Sequence, residues 1–130
     1  MRSDLPGPGQ LLFHDCRPQQ RLATDIARPV RLLQWNIERG YQLPKILAEL
    51  REIDADVIAL QEVDIGCDRS GSADTGLEIA QALQLNYVFF CEFEELHSPA
   101  RDARSQGGGV HGNAFLSRFD IHDARIIQHR

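Results

Sequence analysis

From Val30 the chain alternates between apolar and polar side chains. In VRLLQWNI, residues 30 to 37, Leu33, Trp35 and Ile37 fall on one side and Leu32, Gln34 and Asn36 on the other. This is the period of a two-faced strand. The pattern then changes: in QLPKILAELREID, Leu43, Ile46, Leu47, Leu50 and Ile53 share one helical face, and Pro44 stands where a first helical turn accepts proline. DVIALQEV, residues 56 to 63, is a short apolar run between polar residues, as in a strand covered on both sides. Strand, helix and strand in this order make a compact parallel crossover. Adjacent parallel strands lie about 5 Å apart, so the spacing brings Asn36 and Glu62 to neighbouring strand ends.

Further along, Gly71 to Asp74 reads as a loop and TGLEIAQALQL as a second amphipathic helix carrying Leu77, Ile79, Ala80 and Leu83. NYVFFCEFEEL, residues 86 to 96, reads as a strand. HSPARDARSQGGGVH, residues 97 to 111, reads as a polar glycine-rich loop, and GNAFLS and IHDARIIQ as two strands joined around Arg118 to Asp120. Residues 1 to 28 are rich in Pro, Gln, Arg and Asp without sustained periodicity and are expected to form a flexible extension ahead of one domain over 29–130. His14 and Asp15 in that extension are a candidate metal pair, with a solvated loop as the alternative.

Composition narrows the function classes. In 130 residues, 42% are hydrophobic and 25% charged, which suits one soluble globular domain. The net charge of −5 disfavours bulk nucleic-acid binding. It leaves room for a phosphate-bearing substrate whose charge a bound cation offsets locally. Cys16, Cys67 and Cys91 are odd in number and widely spaced, matching neither a disulfide framework nor paired zinc ligands. Three reduced thiols, no apolar leader and no run long enough for a membrane span point to the cytoplasm, with the nucleus as alternative.

Glu62 ends an apolar run, and burying a lone carboxylate costs several kcal/mol. It therefore either emerges into water or meets a cation. Asn36 likewise is either a strand-ending turn residue or a ligand. Their hard oxygens suit Mg²⁺, Mn²⁺ or Ca²⁺ rather than zinc, and Mg²⁺, with Mn²⁺ as the alternative, is the expected ion. A dinucleotide site is disfavoured, because NIERGYQL lacks the glycine pattern that admits a pyrophosphate.

LLQWNIERG, DADVIALQEVD and GNAFLSRFDI, in this order, resemble the first half of the endonuclease/exonuclease/phosphatase superfamily across about residues 30 to 128. The resemblance implies an α/β fold: the first half of a four-layer sandwich of two sheets flanked by helices. It also implies a metal-dependent phosphoesterase acting on phosphodiesters or phosphomonoesters. By it Asn36 matches an active-site asparagine, Glu62 a metal-binding glutamate, and Glu38 a position where some nucleases carry a supporting aspartate. Arg69, Ser70, Gly71 and Asp74 also resemble family members, with no chemistry assigned. Arg101, Arg104 and His111 are candidate phosphate contacts, set against loop solubilisation for the arginines and a solvent-facing position for the histidine.

The family's Gly-Asp-x-Asn and Ser-Asp-His motifs are absent from this sequence. The expectation is therefore an incomplete, inactive portion of an enzyme whose apolar sheet face needs a cover. A non-catalytic remnant that pairs with a complementing chain is the alternative.

Overall fold

A computed structural model describes residues 4–21 and 26–129. Five strands form one sheet in the order β1 (Leu11–Asp15), β4 (Asn86–Glu94), β5 (Val110–Ser117), β3 (Val57–Ile65) and β2 (Leu32–Asn36). β2 and β3 run parallel, joined by helix α1 (Leu43–Ile53), and the other pairings are antiparallel. Helix α2 (Thr75–Leu83) connects β3 to β4.

Pro44 opens α1, and Asp54 in the left-handed region closes it. At the start of α2 the Asp74 carboxylate accepts from the Leu77 amide at 3.3 Å, satisfying one of the orphan donors of a helix end. Ile46 and Leu50 from α1 and Ile79 and Ala80 from α2 bury themselves against one sheet face, where they meet Ile58, Leu60, Tyr87, Phe89 and Leu116. The five apolar positions read as one face of α1 all join this cluster, with Leu43, Leu47 and Ile53 at its margin.

The opposite sheet face is open, as expected of a sheet that needs a cover, but the coverage of β3 differs from its reading. β3 is covered on both sides only in its second half; before that, Val57, Ala59 and Gln61 alternate with fully buried neighbours. Leu32, Ala59, Val88, Phe90 and Phe115 line this open face, with Leu32 70% and Phe115 38% exposed. A groove of about 290 Å³ runs along it between Leu11, Ala59, Val88, Phe90 and Phe115.

Two readings need correction. Residues 1 to 28 are not uniformly an extension, because Leu11–Asp15 pairs with β4 as an edge strand. Backbone bonds from Gly9 to Cys91 (2.8 Å) and Cys16 to Leu85 (3.1 Å) continue the attachment. LLFHD is too short for its period to stand out; the unpaired edge of β4 recruits it. Residues 121 to 128 form no strand. Both edges of β5 are already taken by β3 and β4, so a hairpin partner has no backbone groups left to pair with. Ile127 accordingly stands 80% exposed.

At the amino end of β3, fully buried Asp56 accepts from Arg28 (2.7 Å twice), the Arg31 amide (2.8 Å) and Arg118 (2.9 Å). The Arg28 guanidinium, chiefly, holds its pKa at about 2. One carboxylate thus ties the entry to β2 and the exit from β5 to β3.

Candidate active site

At the carboxyl ends of β2 and β3, Asn36 lies opposite Gln61, and the Ile37 amide continues the ladder to the Gln61 carbonyl at 3.1 Å. Gln34 and Gln61 are hydrogen-bonded side chain to side chain on the same face. Glu62 follows immediately. It is only partly buried and sits in a β-bulge with φ of 55°. Parallel pairing therefore brings Asn36 and Glu62 to adjacent strand ends.

The Asn36 side-chain oxygen accepts from the Glu38 amide at 3.0 Å. That turn occupies one lone pair of the oxygen and leaves the NH₂ group as a donor suited to a phosphate oxygen. Glu38, Arg39 and Gly40 then run in the left-handed region. Gly40 is required there, since a Cβ would lie 2.5 Å from the Thr75 methyl group. The Arg39 guanidinium carbon lies 6.0 Å from the Tyr41 ring centre, and the Tyr41 hydroxyl donates to the Arg104 carbonyl at 3.4 Å. A pocket of about 170 Å³ beside this turn is lined by Trp35, Asn36, Glu38, Tyr41 and Gln42.

Asn36, Glu38 and Glu62 thus share one end of the sheet, and the loop carrying Arg104 reaches it. Arg104 is exposed, and its guanidinium makes no ion pair among the described residues. Arg101 instead pairs with Glu95 at 3.0 Å. His111 is buried, so the solvent-facing alternative does not hold: its Nδ1 lies 2.7 Å from Asp64, and its ring stacks on Phe93 at 5.0 Å. His14 and Asp15 lie on β1, where Asp15 pairs with Arg17.

Sequence reasoning missed the cluster around Asp64. This fully buried carboxylate accepts from Arg69 Nε and Nη2 (2.9 Å each), Ser70 (2.8 Å) and His111. Burial alone would raise its pKa, but the bonds from Arg69, His111 and Ser70 outweigh that and hold it at about 2. Arg69 reaches Glu95 at 3.2 Å as well. The sequence signals were an aspartate five residues before an arginine and the likeness of Arg69 and Ser70 to family members, to which no chemistry was assigned. The three thiols are not poised nucleophiles: burial raises all of them, Cys67 to about 12.

The candidate donors Glu62 and Glu38 offer hard oxygens, of the kind that fits Mg²⁺ or Mn²⁺. Among the described residues no three His, Cys, Asp or Glu side chains converge as a metal cluster. A site with so few protein ligands suits an ion that retains waters and takes further oxygens from substrate.

Fold and strand-end residues together define the first half of an α/β sandwich, with one sheet face clad in helices and the other open. A model of the endonuclease/exonuclease/phosphatase family matches residues 33–129, and the chain belongs to that family. The crystal structure of an endonuclease/exonuclease/phosphatase from Beutenbergia cavernae DSM 12333 is similar, with a TM-score of 0.50 and 23% sequence identity. The match covers 68% of this chain and 26% of that one. The chain therefore spans about a quarter of the length of this solved relative. No curated protein is matched by the chain. No helix among the described residues is long and apolar enough to cross a membrane.

Proposed function

We propose that this chain carries the metal- and phosphate-facing portion of a divalent-metal-dependent phosphoesterase. The observation that supports the reading best is the β2–β3 pairing, which sets Asn36 beside the Gln61–Glu62 bulge. Family membership supports the same chemistry. In this reading Glu62 holds Mg²⁺, or Mn²⁺ in its place, and Glu38 supports it from the adjoining turn. The NH₂ of Asn36 donates to a phosphate oxygen, and Arg104 supplies positive charge from its loop. The bound ion supplies Lewis-acid stabilisation of the phosphoryl charge. The substrate is a phosphodiester or phosphomonoester; the net charge of −5 weighs against bulk DNA. The cytoplasm is the proposed compartment, since Cys16, Cys67 and Cys91 are all unpaired.

Mn²⁺ added to the chain should broaden the amide resonances of Asn36 and Glu62, and Glu62→Gln should abolish that broadening. Equal broadening in the variant overturns the assignment of Glu62. With Mg²⁺ the chain alone should not hydrolyse a generic phosphodiester, because it contains neither Gly-Asp-x-Asn nor Ser-Asp-His. Turnover that is lost on Glu62→Gln would refute the expected inactivity.

The open sheet face favours a second reading, pairing with a complementing half. Its apolar groove lies where a sandwich packs its second sheet. The chain alone should enhance the fluorescence of an apolar dye, and Phe115→Ser should weaken the signal. Absence of dye binding would count against an unpartnered face.

A further inference from the structure

We propose that His111, together with Asp64, Arg69 and Ser70, positions Glu62 by locking the strand register on both sides of β5. The inference rests on the assignment of Glu62 as the metal-facing carboxylate and explains how the fold presents it.

The strands flanking β5 are both irregular at the same level. On one side the register runs Leu60↔Ala114 and then Val63↔Gly112, so Gln61 and Glu62 together oppose Asn113. On the other it runs Cys91↔Gly112 and then Phe93↔His111, leaving Glu92 as the extra residue. Two bulges thus meet at Gly112, and each releases a glutamate from regular pairing. Asn113, between them, donates to the Glu92 carboxylate.

Removing the β3 bulge shows what it does. Regular pairing beyond Leu60 would place Glu62 opposite Gly112 and Val63 opposite His111, a slip of one residue. Side chains alternate with period two, so every residue past the slip would change face. Glu62 would enter the helix-covered core, while Val63 and Ile65, now fully buried there, would leave it. The bulge sends Glu62 to the open face instead, at the cost of a left-handed φ of 55°. That conformation is disfavoured for a residue with a Cβ, so something must hold the register.

His111 is the first residue beyond both bulges, and it holds each flanking strand through a different contact. Toward β3, its direct cross-strand partner Asp64 lies 2.7 Å from Nδ1. Toward β4, its direct partner Phe93 stacks on its ring at 5.0 Å and 29°. Arg69 and Ser70 saturate the remaining lone pairs of Asp64 and pin β3 from the following turn. Burial of Val63 and Ile65 favours the bulged register, and the Asp64–His111 pair fixes it at one residue.

The test compares His111→Ala with His111→Asn in the whole chain; the asparagine NH₂ replaces Nδ1 as donor to Asp64. The three-bond coupling between the Glu62 amide and α protons reads φ without any metal. Mn²⁺ broadening reads the site. His111→Ala should average the Glu62 coupling and weaken Mn²⁺ roughly ten- to a hundredfold, while His111→Asn should restore both. Unchanged Glu62 coupling and Mn²⁺ affinity in a folded His111→Ala overturns the inference. If His111→Ala does not fold, Ser70→Ala removes a single bond to Asp64 and must move both readouts in the same direction; no movement overturns the inference equally. Mn²⁺ broadening that survives Glu62→Gln refutes the metal assignment alone, because the coupling still judges the positioning.

Discussion

Gly112→Ala is expected to destabilise the domain by about 4 kcal/mol or more, in the exceptional range for one methyl group. A Cβ at this position would lie 1.8 Å from the Phe90 carbonyl oxygen and 2.9 Å from its carbon. Both are backbone atoms of β4, so no rotamer change relieves the clash. The strand itself must move away from β5. That movement strains the ladder between the two central antiparallel strands and disturbs the bulges that present Glu62 and Glu92. Urea unfolding measures the loss, and amide spectra should show shifts concentrated at Phe90–Phe93 and Leu60–Asp64. A variant within about 0.5 kcal/mol of the parent, the range of ordinary surface substitutions, would show that β4 approaches Gly112 less closely.

Asp64→Ala should cost about 3–5 kcal/mol, the usual consequence of leaving one partner of a buried ion pair alone. Arg69 would keep Glu95 at 3.2 Å, which argues for the lower end of that range. Against a typical total stability of about 5–15 kcal/mol this is a large fraction. Removing the arginine charge as well, in Asp64→Ala with Arg69→Met, should cost less than the sum of the single losses, since the two groups are directly coupled.

The same carboxylate predicts acid behaviour. Its folded pKa of about 2 lies below the ordinary 3.8, so its stabilisation is fully present above about pH 4 and is lost as pH falls toward about 2. Asp56, also held at about 2, contributes in the same window. Urea midpoints should therefore drop between about pH 4 and pH 2, and Asp64→Asn should flatten that dependence. An equally steep pH profile in Asp64→Asn would remove Asp64 from the account.

His111 and Glu62 show how legible the site was. The strand-end placement of Glu62 was legible because one short crossover carries Asn36 and the glutamate to neighbouring strand ends. His111 resembled a cleft residue on a glycine-rich loop. Its partner Asp64 is 47 residues away, and nothing in the local pattern of either residue announces the pair. Arg101, on the same loop, resembled a phosphate contact, and the fold pairs it with Glu95 only six residues earlier.

By itself the sequence determined the β2–α1–β3 crossover, the amphipathic face of α2, the existence of β4 and β5, and the approach of Asn36 to Glu62. Each follows from side-chain periodicity within a short stretch, because period and burial are local properties of helix and strand. Tertiary structure decided the recruitment of Leu11–Asp15, the exclusion of 121–128 from the sheet, the paired bulges at Gly112 and the Asp64–His111–Arg69 cluster. These depend on which strand edges are free and which distant charges meet, and backbone pairing and ion pairs carry no periodic trace along the chain.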